Sequence, residues 1–329
     1  MNADAAPGGG AAQRDGGQRD AGDSGAVHHD GGHRDAGHRG RLVAAFAAIY
    51  IAWGSSYLAV RIGVRDLPPL LFGCLRFTSA GLIMLGYARW QGSRLAPLRH
   101  EWRDLLVTAV FGFLVANGVG AWTLQYIQSN QSALLNTTVP CWMVLLGGFG
   151  ARAHRPGALA LTGLLIGAAG AVLLIDPWSH SARGSVWPEV VLIFGCLGWA
   201  INSVYQRTMA TRMPVASLIG WQMLLGGALL GAAGLAAGET ARWHWQWRSV
   251  LPLSYLVIVA SCLAHTAYAW LAPRTTPTSL GTYAYVNPLI ATLLGWLVLN
   301  ERLNAAQLVG MVLVLTSVLV INWSARNER

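Results

Sequence analysis

The chain has 329 residues, of which 54% are hydrophobic and only 11% charged, against about 25% charged in an average soluble protein, which excludes an ordinary water-soluble domain. All 23 basic residues are arginine, and with 14 acidic residues they leave a formal net charge of +9. These arginines sit between apolar segments instead of clustering on a polar face, so the basic footprint of a nucleic-acid-binding protein is absent and no nucleic-acid partner is expected.

Residues 1–40 are built from Gly, Ala, Asp, Arg and His in loose units such as Gly31-Gly32-His33-Arg34-Asp35. Such a segment buries too little apolar surface to fold, which predicts a disordered low-complexity tail, and it lacks the apolar centre of a secretory signal. His28, His29, His33 and His38 have no scaffold to fix a coordination geometry, so no metal site is expected there. A spanning helix needs about 20 mostly apolar residues. From residue 42 onward ten such windows follow: 42–63, 69–89, 104–125, 130–150, 157–175, 186–207, 215–237, 250–272, 277–299 and 305–323. The fold class expected is therefore an all-α polytopic membrane protein with ten transmembrane helices. Cys74, Cys141, Cys196 and Cys262 lie singly in four different windows, a placement that fits packing and neither a disulfide nor a metal.

Cytoplasmic loops collect arginine. With the N-terminus inside, sixteen arginines fall on the cytoplasmic side and five on the other, with Arg61 and Arg76 inside spans. Both termini are therefore expected in the cytoplasm of a cell-membrane protein. The chain also repeats itself. An offset of 146 carries Trp53, Ser56, Tyr57, Val60, Arg61 and Pro68 onto Trp199, Asn202, Ser203, Gln206, Arg207 and Pro214, and an offset of 148 carries Asn117, Trp122 and Pro140 onto His265, Trp270 and Pro288. Five helices per half is an odd number, so the second half enters the bilayer from the opposite side. Two five-helix inverted-topology repeats, at 41–176 and 184–324, are the arrangement with which transporters build a midplane site and two alternately open states.

The stretch Trp53-Gly54-Ser55-Ser56-Tyr57, Pro69 followed by Arg76, Pro140 and Pro288 in the two fourth helices, and Asn300-Glu301-Arg302-Leu303 followed by Gly310 together resemble the EamA-like transporters of the drug/metabolite transporter superfamily. The resemblance covers residues 42–323. It implies a secondary transporter of small metabolites, exporting amino acids, related metabolites or toxic compounds by alternating access, with import of the same solutes as the alternative. One departure is visible: where the first half should carry its counterpart of Glu301, this chain has Ala153 and His154. No Gly-x-x-x-x-Gly-Lys loop exists in a chain without lysine, so no ATP or other cofactor is expected. A lipid-active enzyme would need a nucleophile, base or metal motif that is absent here, and a sensor or scaffold without transport is allowed by the odd N-terminal tail; flux across a sealed bilayer separates these readings from transport. The partners expected are a small-molecule substrate and the lipid bilayer, and a homodimer is left open.

The cavity candidates are polar and aromatic groups within spans. Trp53, Ser56, Tyr57 and Val60 share one helical face, and Trp122, Trp199, Tyr268, Tyr283 and Tyr285 add rings to the hydrogen-bonding groups of Asn117, Gln125, Asn202 and Asn287. An apolar cavity with a few fixed polar contacts is the usual small-molecule site; packing between helices is the competing role. Arg76 reads either as a holder of a carboxylate or phosphate or as a structural arginine on backbone carbonyls. His265 reads as a proton-coupling or cavity group or as a neutral hydrogen-bonded histidine; an unchanged pH profile in His265→Asn would exclude the first. Arg61 and Arg207 are expected to anchor helix ends, and Glu301 to pair with Arg302 or cap the next helix.

Overall fold

The computed structural model describes residues 31–147, 157–180, 185–209, 211–271, 274–275 and 282–327. It divides into a short N-terminal unit, Met1–Arg41, and a main unit, Leu42–Arg329. The longer described elements are helical. They are α1 (Gly31–Gly63), α2 (Pro69–Trp90), α3 (Glu101–Thr123), α4 (Ser129–Asn136), α5 (Val139–Gly147), α6 (Ala158–Ile175), α7 (Trp187–Gln206), α8 (Val215–Ala236), α9 (Trp247–Leu271), α10 (Tyr283–Leu299) and α11 (Ala305–Asn327). Helix α1 begins at Gly31, inside the 1–40 segment expected to be unstructured; adding turns to an existing helix avoids the cost of nucleation.

Eight of these helices are long and apolar enough to cross a membrane, and Tyr283–Leu299 is a shorter apolar helix. The expected fourth window, 130–150, is broken among the described residues into α4 and α5. Pro140 is the reason: it offers no N–H and its ring collides with the carbonyl four residues back. The chain answers with tight bonds, Thr137 N–H to the Leu134 carbonyl at 3.1 Å and Thr138 N–H to Leu135 at 3.0 Å, before α5 begins. Ala153 and His154 lie outside the described residues.

Helix ends follow their residues. Pro69 opens α2 at a position where a missing N–H is harmless, and Asp176 and Asn300 close α6 and α10 in the left-handed region at φ 50° and 53°, a conformation that polar short side chains tolerate. Asn304 and Gln307 cap α11 reciprocally, the Asn304 N–H donating to Gln307 Oε1 at 3.1 Å and the Gln307 N–H to Asn304 Oδ1 at 2.9 Å.

Two helix pairs reveal how the halves combine. Helix α2 packs along its own repeat counterpart α8, and α6 along its counterpart α11. In the first pair a Cβ on Gly81 would lie 2.8 Å from the Gly220 carbonyl and 2.8 Å from the Leu224 amide, while one on Gly220 would lie 3.2 Å from the Leu85 amide. In the second, a Cβ on Gly170 would meet the Gly310 carbonyl at 3.0 Å and the Val314 amide at 2.9 Å, and one on Gly310 would meet the Gly170 carbonyl at 2.8 Å and the Leu174 amide at 2.9 Å. The contacts are reciprocal in both pairs. They also run in opposite chain directions, Gly163 meeting Ile321 and Gly170 meeting Val314, so counterpart helices are antiparallel, as an inverted repeat requires. Small residues permit this approach because lipid supplies little hydrophobic drive and close backbone packing does the work.

Candidate functional site

Both third helices, α3 and α9, carry a π-helical stretch, Ala109–Gly118 and Leu256–Leu263. The two stretches correspond under the offset of 148. A π-helical turn is wider than an α-turn and frees backbone groups, which is why such turns concentrate at functional sites. Here the stretch in α9 collects the central side chains. The Trp53 indole N–H donates to the Ala260 carbonyl at 3.1 Å, and Arg76 Nε, from α2, donates to Ser261 Oγ at 3.1 Å. Neighbouring residues of one turn thus fix an indole and a guanidinium side by side.

Around Trp53 the rings of His265, Tyr268 and Tyr283 stand with centroids 5.4, 5.5 and 5.2 Å away, two of the three edge-on, the geometry that ring quadrupoles prefer. Trp199 reaches the same cluster, its indole lying beside the Tyr283 hydroxyl. Tyr57 lies close enough to feel Tyr283 and Cys196. Gly54 makes the cluster possible: a Cβ there would fall 2.8 Å from Ile290 Cβ and 3.3 Å from the Asn287 carbonyl, so α1 sits directly on α10. Asn287 is 7% exposed with Oδ1 hydrogen-bonded to none of the described residues, and His265 Nδ1 is likewise buried without such a partner. Thus Trp53, Tyr57, Trp199, His265, Tyr268 and Tyr283 form one aromatic cluster drawn from both halves, with Asn287 at α10 and Arg76 nearby.

Other candidates lie elsewhere. In the π-helical stretch of α3, Asn117 Nδ2 donates to the Gly112 carbonyl at 2.7 Å, and Asn202 presses on the same glycine, 2.9 Å from where its Cβ would be. Asn202 is buried and accepts from Gln206 at 3.2 Å. Ser56 Oγ is turned back on the Trp53 carbonyl at 2.7 Å, a local bond. Tyr285 faces α11, donating to the Val318 carbonyl at 2.9 Å and bonded to Asn322. Trp122 packs against Tyr126 with centroids 5.0 Å apart and the rings tilted by 55°, and it lines a cleft of about 830 Å³ with Gln125, Gln131, Glu189 and Gln307, at the bundle end that holds the α3–α4, α6–α7 and α10–α11 connections.

Charged residues at helix ends tie the bundle together. Glu301 takes neither role expected of it, since among the described residues it forms no ion pair with Arg302 and the next helix caps itself. Its carboxylate accepts from the Ser129 N–H at 2.9 Å, the Ser129 hydroxyl at 2.7 Å and the Asn130 N–H at 3.2 Å, capping α4 across the repeat boundary. Glu239 does the same for α2, accepting from the Leu71 N–H at 2.9 Å. At the opposite bundle end Glu101 accepts from Arg94 at 2.9 Å, the Leu98 N–H at 2.7 Å and Thr211 at 3.0 Å. Arg61 bends onto the Leu124 carbonyl, while Arg207 ends α7 exposed.

Sequence reasoning passed over Ser261, Ala260 and Gly112. Ser261 had a signal, standing four residues before His265 on the same helical face; a backbone carbonyl and a glycine gave none.

A bundle of apolar membrane-length helices, in which helices of one half pack antiparallel to their counterparts and a polar-aromatic cluster is shared between halves, defines a multi-pass membrane protein of internal-repeat architecture. The model of the EamA-like transporter family matches residues 40–176 and again 186–323, and the chain belongs to that family; it is a membrane transporter. It is 32% identical over 286 residues to the inner membrane transporter YedA of Escherichia coli K12, covering 85% of this chain and 90% of that one. It is 24% identical over 287 residues to a WAT1-related chloroplastic protein of Arabidopsis thaliana, covering 85% of this chain and 69% of the relative. A crystal structure of another protein superposes with a TM-score of 0.62 at 22% identity, covering 87% of this chain and 99% of its own, and shares the fold.

Proposed function

We propose that this protein is a secondary transporter exporting small metabolites from the cytoplasm, working by alternating access around the aromatic cluster of Trp53, Trp199, His265, Tyr268 and Tyr283. The supporting observation is that this cluster takes residues from both halves while counterpart helices meet in antiparallel, reciprocal pairs. Two halves related in this way can exchange conformations, closing one end of the bundle as the other opens. No acidic residue sits at the centre of a span, so an intramembrane carboxylate relay is not part of this mechanism.

The test is counterflow in proteoliposomes preloaded with unlabelled amino acids and related metabolites. Labelled solute enters wild-type vesicles, and Trp199→Ala, which removes the indole beside Tyr283, lowers the rate at least about tenfold, the effect of roughly 1.4 kcal/mol. Equal rates in wild-type and Trp199→Ala vesicles would remove the cluster from the pathway.

The arginine distribution supports cytoplasmic termini. Gln91→Cys, between α2 and α3, should then react with an impermeant thiol reagent only from the cytoplasmic side, and Thr240→Cys, between α8 and α9, only from the outside. Labelling in the reverse pattern refutes the orientation.

A further inference from the structure

Arg76 is 8% exposed and lies seven residues into α2, about 10 Å along it from its start. Its Nε is held by the Ser261 hydroxyl and its guanidinium lies over the Phe77 ring, 4.5 Å from the centroid. The two terminal nitrogens hydrogen-bond to none of the described residues, and no carboxylate among those residues pairs with the charge. A purely structural arginine would spend its donors on backbone carbonyls; this one is aimed by a single hydroxyl and keeps its paired fork unused.

Among the described residues no carboxylate is placed to neutralise it. Of the acidic residues, six precede residue 36 and Glu328 is next to the C-terminus; the other seven, Asp66, Glu101, Asp104, Asp176, Glu189, Glu239 and Glu301, lie in connections or within the first turn of a helix. A buried charge without a counter-ion is strongly unfavourable, and a solute bearing a carboxylate would relieve it with two parallel charge-assisted hydrogen bonds. The same distribution leaves a solute ammonium no carboxylate among the described residues to meet, and the positive charge of Arg76 opposes a cation beside it. The neighbouring rings then serve the apolar body of the solute. Trp53 and Arg76 are held on Ala260 and Ser261, so ring face and guanidinium are presented together.

From this juxtaposition we infer that Arg76 is the anion-binding group of the transport site and that the solute carried is an organic acid anion, a carboxylate on an aromatic or apolar body, in preference to a cationic or zwitterionic compound. The inference rests on the transport function proposed above.

The experiment uses the purified full chain in proteoliposomes with four labelled probes of similar bulk: benzoate, benzamide, phenylalanine and phenethylamine, each measured above protein-free vesicles. Benzoate exchange saturates in the wild type and exceeds that of the other three. Arg76→Gln lowers it at least about tenfold, whereas Arg76→Lys, which keeps the charge and loses the fork, retains an intermediate rate. Exchange of phenylalanine, phenethylamine or benzamide as fast as benzoate by the wild type would overturn the anion assignment while leaving transport standing; the wild-type comparison needs no variant to fold. A folded Arg76→Gln protein that exchanges benzoate at the wild-type rate would overturn it equally. If none of the four probes exchanges and benzoate also fails to quench the tryptophan fluorescence of the folded wild type, the anion assignment falls on binding itself.

Discussion

Glu301→Ala is expected to lower the thermal unfolding midpoint of the detergent-solubilised protein further than any other single removal of a helix cap. The carboxylate is 7% exposed and accepts three bonds at the start of α4, two of them from backbone N–H groups. The first N–H groups of a helix have no partner within it, so truncation strands the Ser129 and Asn130 donors in a buried place. Each stranded donor costs about 1–3 kcal/mol, and the favourable interaction of a negative charge with the helix N-terminus is lost as well, for a total of about 3 kcal/mol or more. Because Pro140 has already cut the fourth helix to Ser129–Asn136, α4 has few turns with which to absorb the loss. A second variant checks the cause: a Cβ on Gly295 would fall 2.4 Å from Glu301 Oε2, so Gly295→Ala should displace the carboxylate and reproduce much of the effect. Midpoints of Glu301→Ala and wild type that coincide, followed by tryptophan fluorescence, would show that water caps α4 equally well.

The larger structural effect is expected from Gly310→Leu. A Cβ at this position would sit 2.8 Å from the Gly170 carbonyl and 2.9 Å from the Leu174 amide. Both obstacles are backbone, which has no rotamer to retreat into, so α6 and α11 must separate along their length. Overpacking of a tight interface costs about 1–3 kcal/mol, with larger values when the backbone must move, and the lost van der Waals contact along the pair adds to that. The protein should fail to elute as a monodisperse peak in detergent. Gly86→Leu is the control, since nothing lies within 4 Å of a Cβ on Gly86. Indistinguishable elution profiles for Gly310→Leu and Gly86→Leu would remove the antiparallel pair as a fixed element.

The unequal behaviour of the two Gly substitutions illustrates what one-dimensional spacing leaves undecided. Gly163 and Gly167, or Gly227 and Gly231, announce small-residue spacing in the sequence. That spacing does not say which helix approaches. The partner is the repeat counterpart, Ser317 and Ile321 in one case and Thr78 and Cys74 in the other, a fact of chain topology.

By itself the sequence determined the membrane class and the internal duplication, because a shortage of charge, apolar runs of spanning length and a repeat offset near 146 are properties of order and composition, while the family resemblance was carried by motifs such as Trp53-Gly54-Ser55-Ser56-Tyr57. It also nominated the aromatic residues that come together, since Trp53 and Trp199 recur at matching positions of the repeat. Tertiary structure decided the rest. Trp122 parts from the cluster and lines a cleft, and Glu301 reaches across the repeat boundary to α4 instead of pairing with its neighbour Arg302. The Pro140 break divides a window that hydropathy reads as continuous, and the π-helical turn of α9 brings Ala260 to Trp53 and Ser261 to Arg76. Hydropathy and periodicity describe each helix alone, whereas these contacts join residues roughly 170 to 210 positions apart. Which distant group satisfies a buried donor is set by the packing of whole helices, and that is settled only when all of them are in place.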